Sequence, residues 1–219
     1  SRRVALMTVG LAEVVNRAGY RRFTGEQIRE IRYAGLLHDF GKVGVREEVL
    51  RKAKKLYQPS LELLRERHAF IRRTAERSFW RQRAEFLEQH GRDGYDAWLR
   101  EREAAYAAEV ADLDRFLEVV IRANEPALLQ SEIAEGISTL AERTYETLDG
   151  ERRPLLEPDE VRFLSIRKGS LDDAERKEIE SHVTHTYNFL KEIPWTKELR
   201  DVPNIARSEE RRVGKEWRS

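Results

Sequence analysis

The sequence contains no cysteine. This absence excludes a disulfide framework, a zinc–thiolate cluster and a thiol nucleophile, so histidine and carboxylate side chains are the metal ligands that remain. No apolar run approaches the roughly 18 to 20 residues that span a bilayer, and no basic region followed by an apolar stretch marks a signal peptide. We therefore expect a cytoplasmic protein without membrane insertion.

The sequence also lacks an excess of charge of either sign. Among its 219 residues, 41 Lys and Arg side chains face 40 Asp and Glu side chains. Such a balance creates no overall field that attracts a nucleic-acid polymer, so a phosphate-binding site would have to be local. Charged residues nevertheless make up 37% of the chain, which is typical of long solvent-exposed helices.

Helical periodicity dominates the first 56 residues. Apolar residues at helical spacing predict a helix over Val4–Arg17, which Gly19 ends. Thr24 and Gln27 form a capping-box pattern, which predicts the start of a second helix. The predicted buried stripe of that helix consists of Ile28, Ile31, Leu36 and Leu37. A short helix is predicted from Glu47 to Leu56.

The pattern changes at Tyr57 to long charged helices, predicted over Leu61–Gln89 and Ala97–Asn124. Apolar residues three and four apart indicate a packed seam in the second of them: Val110, Leu113, Leu117, Val120 and Ile121. We interpret this segment as a helical hairpin or coiled-coil arm, through which two copies of the chain could form a homodimer. Further helices are predicted over Ile133–Leu148, from Pro158 to Ile166 and from Ser170 to Glu192. Because no segment shows convincing alternation with period two, the predicted fold class is all-α.

His38 and Asp39 stand side by side at the end of the second predicted helix, before a turn that contains Gly41 and Gly44. Imidazole nitrogen and carboxylate oxygen both bind hard divalent cations, and an aspartate can bridge two of them. A His–Asp pair alone is a weak signal. Such pairs arise by chance, and a helix C-terminus favours histidine through its dipole.

The wider string Ala-Gly-Leu-Leu-His-Asp-Phe-Gly-Lys-Val-Gly-Val, residues 34–45, resembles the HD superfamily of metal-dependent phosphohydrolases. Within it, the string is similar to the HD-GYP phosphodiesterases, which hydrolyse the bacterial signalling molecule cyclic di-GMP. The resemblance implies an HD-domain helical bundle with two divalent cations, Fe or Mn, in the intact family. It implies metal-binding roles for His38 and Asp39, catalytic roles for Asp39 and Lys42, and contact of Lys42 with the substrate phosphate.

The resemblance continues over Ser170 to Leu190, where His182 takes the place of the family's next metal ligand. His182 can also be interpreted as an ordinary helical histidine. His185, one turn further, has no ligand role in the family and is a candidate for a supporting contact. The family connects these ligands by a much shorter segment. We therefore predict an HD domain in residues 1–56 and 165–206, interrupted by a charged helical insertion over 57–164.

Several family features are absent from the sequence. The histidine that the family has before Ser1 and the His-His pair, aspartate and Gly-Tyr-Pro motif expected after Ala206 do not occur. Residues 207–219 resemble the translation of a sequencing adapter, and we interpret them as an artefactual tail of a truncated chain. His38, Asp39 and His182 could retain at most one weakly held ion, so we expect this chain to be inactive or nearly so.

Three functional hypotheses follow. The intact parent resembles a metal-dependent phosphodiesterase acting on a cyclic dinucleotide, joined to an upstream sensory or receiver domain in bacterial signal transduction. A second hypothesis is another HD-superfamily enzyme, acting on nucleoside triphosphates or an alarmone. The third is a non-catalytic signalling or dimerisation module with a vestigial site.

Overall fold

The computed structural model describes residues 1–208 of the chain; of the predicted tail 207–219, residues 209–219 lie outside the described residues. The helices are α1 (Arg2–Arg17), α2 (Gly25–Leu37), α3 (Glu47–Leu50), α4 (Gln58–His90), α5 (Tyr95–Ala123), α6 (Ser131–Ala141), α7 (Pro158–Leu164), α8 (Asp173–Lys191) and α9 (Val202–Ser208). Short 3-10 turns cover Phe40–Gly44 and Lys197–Leu199. The expected all-α class is confirmed. None of the helices in the described part of the chain is long and apolar enough to cross a membrane.

The chain divides into two compact units. The first combines Ser1–Arg51 with residues 173–208 of the described chain, and the second is the continuous segment Lys52–Asp172. Helices α1–α3, α8 and α9 thus belong to the first unit, and α4–α7 belong to the second. That the second unit is an insertion into an HD domain stays a prediction.

The first unit is built around α2, α8 and α9. Its core consists of Ala34, Leu190, Val202 and Ala206. The predicted capping box of α2 is confirmed: the Thr24 hydroxyl accepts the Gln27 N–H, and the Gln27 side chain accepts the Thr24 N–H.

The predicted buried stripe of α2 is wrong at Leu36, which is exposed. The buried positions are instead Glu30, Ala34 and Gly35. The cause is the close approach of α1, because a Cβ atom added at Gly35 would lie 2.8 Å from the Cα of Ala5. Small residues form the contact, and the larger side chains of α2 are left at its edges.

The second unit contains the predicted hairpin, in which α4 and α5 are joined by a turn with positive φ at Gly91 and Gly94. The α5 seam consists of Leu113, Phe116, Val120 and Ala123, whereas Ile121 of the predicted seam is exposed. His68 of α4 is also buried, and its Nε2 lies 3.1 Å from the Leu113 carbonyl oxygen.

Two predicted helices end early. The segment expected to be helical to Leu148 ends at Ala141 and continues as an antiparallel pair of strands, β1 (Thr144–Glu146) and β2 (Arg152–Pro154). The segment expected to be helical to Leu56 ends at Leu50. Beyond it, the N–H groups of Lys55 and Leu56 donate to the backbone and side-chain oxygens of Asn124, at 3.1 and 2.7 Å. These bonds replace the bonds of a continued helix.

The two ends of the second unit meet. The Ser170 hydroxyl donates to the Lys52 carbonyl oxygen at 2.9 Å, across 118 positions of sequence. The unit is thereby closed on itself next to the residues where the chain enters and leaves it.

Lys55 lies in the interior of this second unit. Its side chain is fully buried, and its Nζ has no hydrogen-bond partner among the described residues. Burial lowers the pKa of the Lys55 ammonium from its ordinary 10.5, because a low-dielectric interior disfavours the charged form. The side chain therefore destabilises the folded unit.

We expect Lys55→Met to raise the free energy of unfolding by about 1 to 3 kcal/mol at pH 7, because the buried charge is replaced by an apolar side chain of similar length. The folded chain has the lower lysine pKa and so binds fewer protons than the unfolded chain. Its stability therefore rises with pH until the unfolded value of 10.5 is passed. The substitution should remove that rise. Urea unfolding at pH 7 and pH 9.5 measures both effects.

The matched control for this prediction is Lys54→Met. Lys54 is the neighbouring lysine, half-exposed and paired with Glu125, so its replacement should change stability by less than about 1 kcal/mol. A Lys55→Met variant no more stable than the wild type would contradict the prediction.

Candidate metal centre

A turn at the end of α2 carries the His–Asp pair against α8. Gly41 in this turn is buried, and a Cβ atom added there would lie 1.9 Å from the His182 carbonyl oxygen and 2.5 Å from the Thr186 nitrogen. No side chain fits at that separation. The glycine of the motif therefore permits backbone contact between the turn and the helix that carries His182.

This contact brings three of the predicted site residues together. The Nε2 atom of His38 lies 3.4 Å from Oδ2 of Asp39, and Nε2 of His182 lies 4.0 Å from Oδ1 of the same carboxylate. The side chains of His38 and His182 are 13% and 11% exposed. Asp39 is thus flanked by an imidazole on each oxygen.

Hydrogen bonds on the far side of each ring orient both imidazoles. The Nδ1 of His38 lies 2.8 Å from the Gly35 carbonyl oxygen, and Nδ1 of His182 contacts the Ile179 carbonyl oxygen. A carbonyl oxygen can only accept, so both Nδ1 atoms must donate. In the neutral rings each Nε2 therefore carries the lone pair, and it faces Asp39. A histidine ligand is held in the same way in protein metal sites.

Lys42 also contacts Asp39, through Nζ at 2.7 Å from Oδ1. Partial burial opposes ionisation of the Asp39 carboxyl, but the Lys42 hydrogen bond and the attraction of His38, Lys42 and His182 outweigh it. The pKa of Asp39 consequently lies below its ordinary value. At neutral pH the carboxylate is an anion, as a cation ligand must be.

Thr186 joins the turn to α8 and was missed in the sequence. Its side chain is 1% exposed, and its hydroxyl accepts the Gly41 N–H at 2.8 Å and donates to the His38 carbonyl oxygen at 3.0 Å. One signal could have identified it. Thr186 lies four positions after His182, on the same face of the helix.

His185, the candidate for a supporting contact, lies at the other end of the turn. A Cβ atom added at Gly44 would meet its Nδ1 at 2.8 Å. Nearby, the Arg46 guanidinium pairs with Glu178 of α8 at 2.7 Å and lowers the pKa of that carboxyl. His185 and this ion pair therefore contact the end of the turn, while His38, Asp39 and His182 meet at its start.

The donor chemistry of this cluster fits a divalent cation, since two imidazole lone pairs and an ionised carboxylate meet. Within residues 1–208, however, no group of three or more His, Cys, Asp or Glu side chains is arranged to hold a metal ion as it stands. Lys42 contacts the same carboxylate oxygen that His182 approaches. The candidate ligands lie close together, and a cation would compete with the Lys42 ammonium for Asp39.

Comparison with known proteins agrees with the motif. The family model of the HD domain matches residues 1–118, more than half of the chain. The matched region includes His38 and Asp39 but not His182. No curated protein and no solved structure matches the chain. HD domains in general bind divalent metals and act as metal-dependent hydrolases. The chain belongs to the HD domain family.

Proposed function

We propose that the HD domain of this chain is that of a metal-dependent phosphodiesterase that hydrolyses cyclic di-GMP. In this proposal His38, Asp39 and His182 hold a divalent cation, Fe or Mn. The observation that carries it is the approach of two oriented Nε2 atoms to the two oxygens of Asp39, at 3.4 and 4.0 Å.

A bound cation would activate water and polarise the phosphoryl oxygen. The protein's own groups then have separate tasks. Asp39 supplies negative charge, and the Gly35 and Ile179 carbonyl groups keep the imidazoles oriented. Lys42 is 42% exposed, so its ammonium can turn from Asp39 to a phosphate oxygen and stabilise charge in the transition state.

The choice of a cyclic dinucleotide rests on the Gly41-Lys42-Val43-Gly44 extension of the motif. The first glycine of this extension has a structural role, because Gly41 permits the close approach of the turn to α8. The second candidate is a nucleotide phosphohydrolase that acts on nucleoside triphosphates or an alarmone. The same metal centre could act on such a substrate, so the two candidate functions differ only in the class of substrate hydrolysed.

We further propose that this chain holds one ion and turns over slowly. Two-metal hydrolysis needs ligands for both ions. Within residues 1–208, the cluster in the first unit has only three candidate ligands: His38, Asp39 and His182. Of the other histidines in the described chain, His185 lies in the first unit, whereas His68 and His90 lie in the second. Metal binding is therefore a sharper test than turnover.

Asp39→Ala is expected to weaken Mn²⁺ binding by about 100-fold, because both imidazoles and Lys42 approach this carboxylate. Electron paramagnetic resonance of free Mn²⁺ gives the dissociation constant. Asp93→Ala, at an exposed position in the α4–α5 turn, is the matched control and should bind as the wild type does. Equal binding by the Asp39→Ala and wild-type chains would refute the proposed centre.

Hydrolysis assays with Mn²⁺ or Fe²⁺ distinguish the substrate classes. We expect slow hydrolysis of cyclic di-GMP, none of GTP, and none in the Asp39→Ala variant. Preference for GTP would support the second candidate. A chain that binds no Mn²⁺, cleaves neither substrate and sediments as a dimer would support the non-catalytic signalling module.

A further inference from the structure

The hydroxyl of Thr186 links α8 to two backbone groups of the motif turn, which comprises residues 38–44. The groups are the carbonyl of His38, immediately before Asp39, and the N–H of Gly41, two positions after it. We propose that Thr186 is a positioning residue, whose hydroxyl sets the separation between His182 and Asp39. This inference rests on the proposed metal centre.

The hydroxyl is committed to these two bonds. Its single hydrogen is donated to the His38 carbonyl oxygen at 3.0 Å, and an oxygen lone pair accepts the Gly41 N–H at 2.8 Å. Thr186 is 1% exposed, and its bond to the Gly41 N–H is buried, so solvent cannot replace that bond. Removal of the hydroxyl would take this partner from a buried N–H and a partly buried carbonyl oxygen.

The position of Thr186 transmits this constraint to His182. The two residues lie one helical turn apart on the same face of α8, about 6 Å along the axis. Because the Gly41 contact leaves no room for the turn to move closer to α8, the turn can only move away from it. The two hydrogen bonds of the Thr186 hydroxyl oppose that movement. The His182–Asp39 separation of 4.0 Å is the longer of the two imidazole contacts, and a further increase would remove His182 from a shared ion.

The competing explanation is that Thr186 only fills space in the core. Two substitutions separate the explanations, because Thr186→Ser and Thr186→Ala both remove the methyl group and only serine keeps the hydroxyl. We expect the serine variant to bind Mn²⁺ within about threefold of the wild type. The alanine variant should bind about 10- to 100-fold more weakly, as is usual when a group that orients a metal ligand is lost.

Leu190→Ala is the control for loss of stability. Leu190 is fully buried on the same helix, so its truncation destabilises the unit without touching the turn. The measurement is the Mn²⁺ dissociation constant under conditions in which circular dichroism shows each variant to be folded. Amide exchange of Gly41 adds a second readout, since protection should be lost in the alanine variant and kept in the serine variant.

The outcomes are distinguishable. Equal Mn²⁺ affinity of the serine and alanine variants, or equal weakening by Leu190→Ala, would overturn the positioning role while leaving the metal centre intact. Absence of Mn²⁺ binding by the wild-type chain would overturn both. If the alanine variant does not fold, Thr186→Val, which keeps the side-chain volume, takes its place. If that also fails to fold, a serine variant with wild-type affinity supports the role, and one weakened tenfold overturns it.

Discussion

Replacing Gly41 by alanine is expected to disrupt the first unit and to abolish its Mn²⁺ binding. The new Cβ would lie 1.9 Å from the His182 carbonyl oxygen and 2.5 Å from the Thr186 nitrogen, and both are backbone atoms of α8 that no side-chain rotation can move. The turn must therefore separate from the helix. We expect a loss of about 3 kcal/mol or more in the free energy of unfolding, at the upper end of overpacking effects.

Gly10→Ala is the control for the Gly41 prediction. Gly10 lies within α1, and a Cβ atom there would meet nothing within 4 Å, so alanine should leave stability unchanged or raise it by up to about 1 kcal/mol. Urea unfolding and Mn²⁺ titration of both variants test the difference. A Gly41→Ala chain with normal stability and normal Mn²⁺ affinity would show that the turn does not pack as described.

Breaking the ion pair between Arg67 and Glu160 is expected to cost about 3 to 5 kcal/mol, because it leaves one buried charge without its partner. The two side chains are 8% and 7% exposed, and the guanidinium contacts both carboxylate oxygens, at 2.7 and 3.2 Å. Burial opposes ionisation of Arg67, but the Glu160 hydrogen bond outweighs it and raises the pKa of the guanidinium. Glu160 also accepts the N–H of Glu157 at the start of α7.

Urea unfolding of Arg67→Met, Glu160→Leu and the double variant measures this ion pair. The double variant should lose less stability than the two single variants together, because no unpaired charge remains in it. Arg72→Met is the control, since Arg72 pairs with Asp114 at the surface, where both side chains are about half-exposed. It should cost less than about 1 kcal/mol. Additive losses in the double variant would contradict a coupled pair.

The features that the sequence predicted correctly depend on neighbouring residues. The Thr24–Gln27 capping box needs only four consecutive positions, and the structure forms it. The break between α4 and α5 needs only the glycines at 91 and 94, both of which have positive φ. The motif string likewise placed Asp39 at a helix end, where the structure has it beside His38.

The features that the sequence did not predict depend on distant partners. Leu36 was expected to be buried, but the approach of α1 to Gly35 turns a face of small residues inward. The helix expected to reach Leu56 ends early because Asn124, 68 positions away, takes the N–H of Leu56. Thr186 was missed for the same reason, since its partners precede it by 145 and 148 positions. Periodicity carries no information about such pairs.

The hydrogen bond between Ser170 and Lys52 has a consequence for the order of folding. The motif turn cannot meet α8 until the whole second unit has been synthesised, and a disordered connection of that length imposes a large loop-closure entropy. The second unit is continuous in sequence, so it can fold first while the chain is still growing. Once folded, it holds its ends together at the 2.9 Å bond and acts as a short tether. Late docking of α8 then becomes a nearly local step in the folding of the first unit.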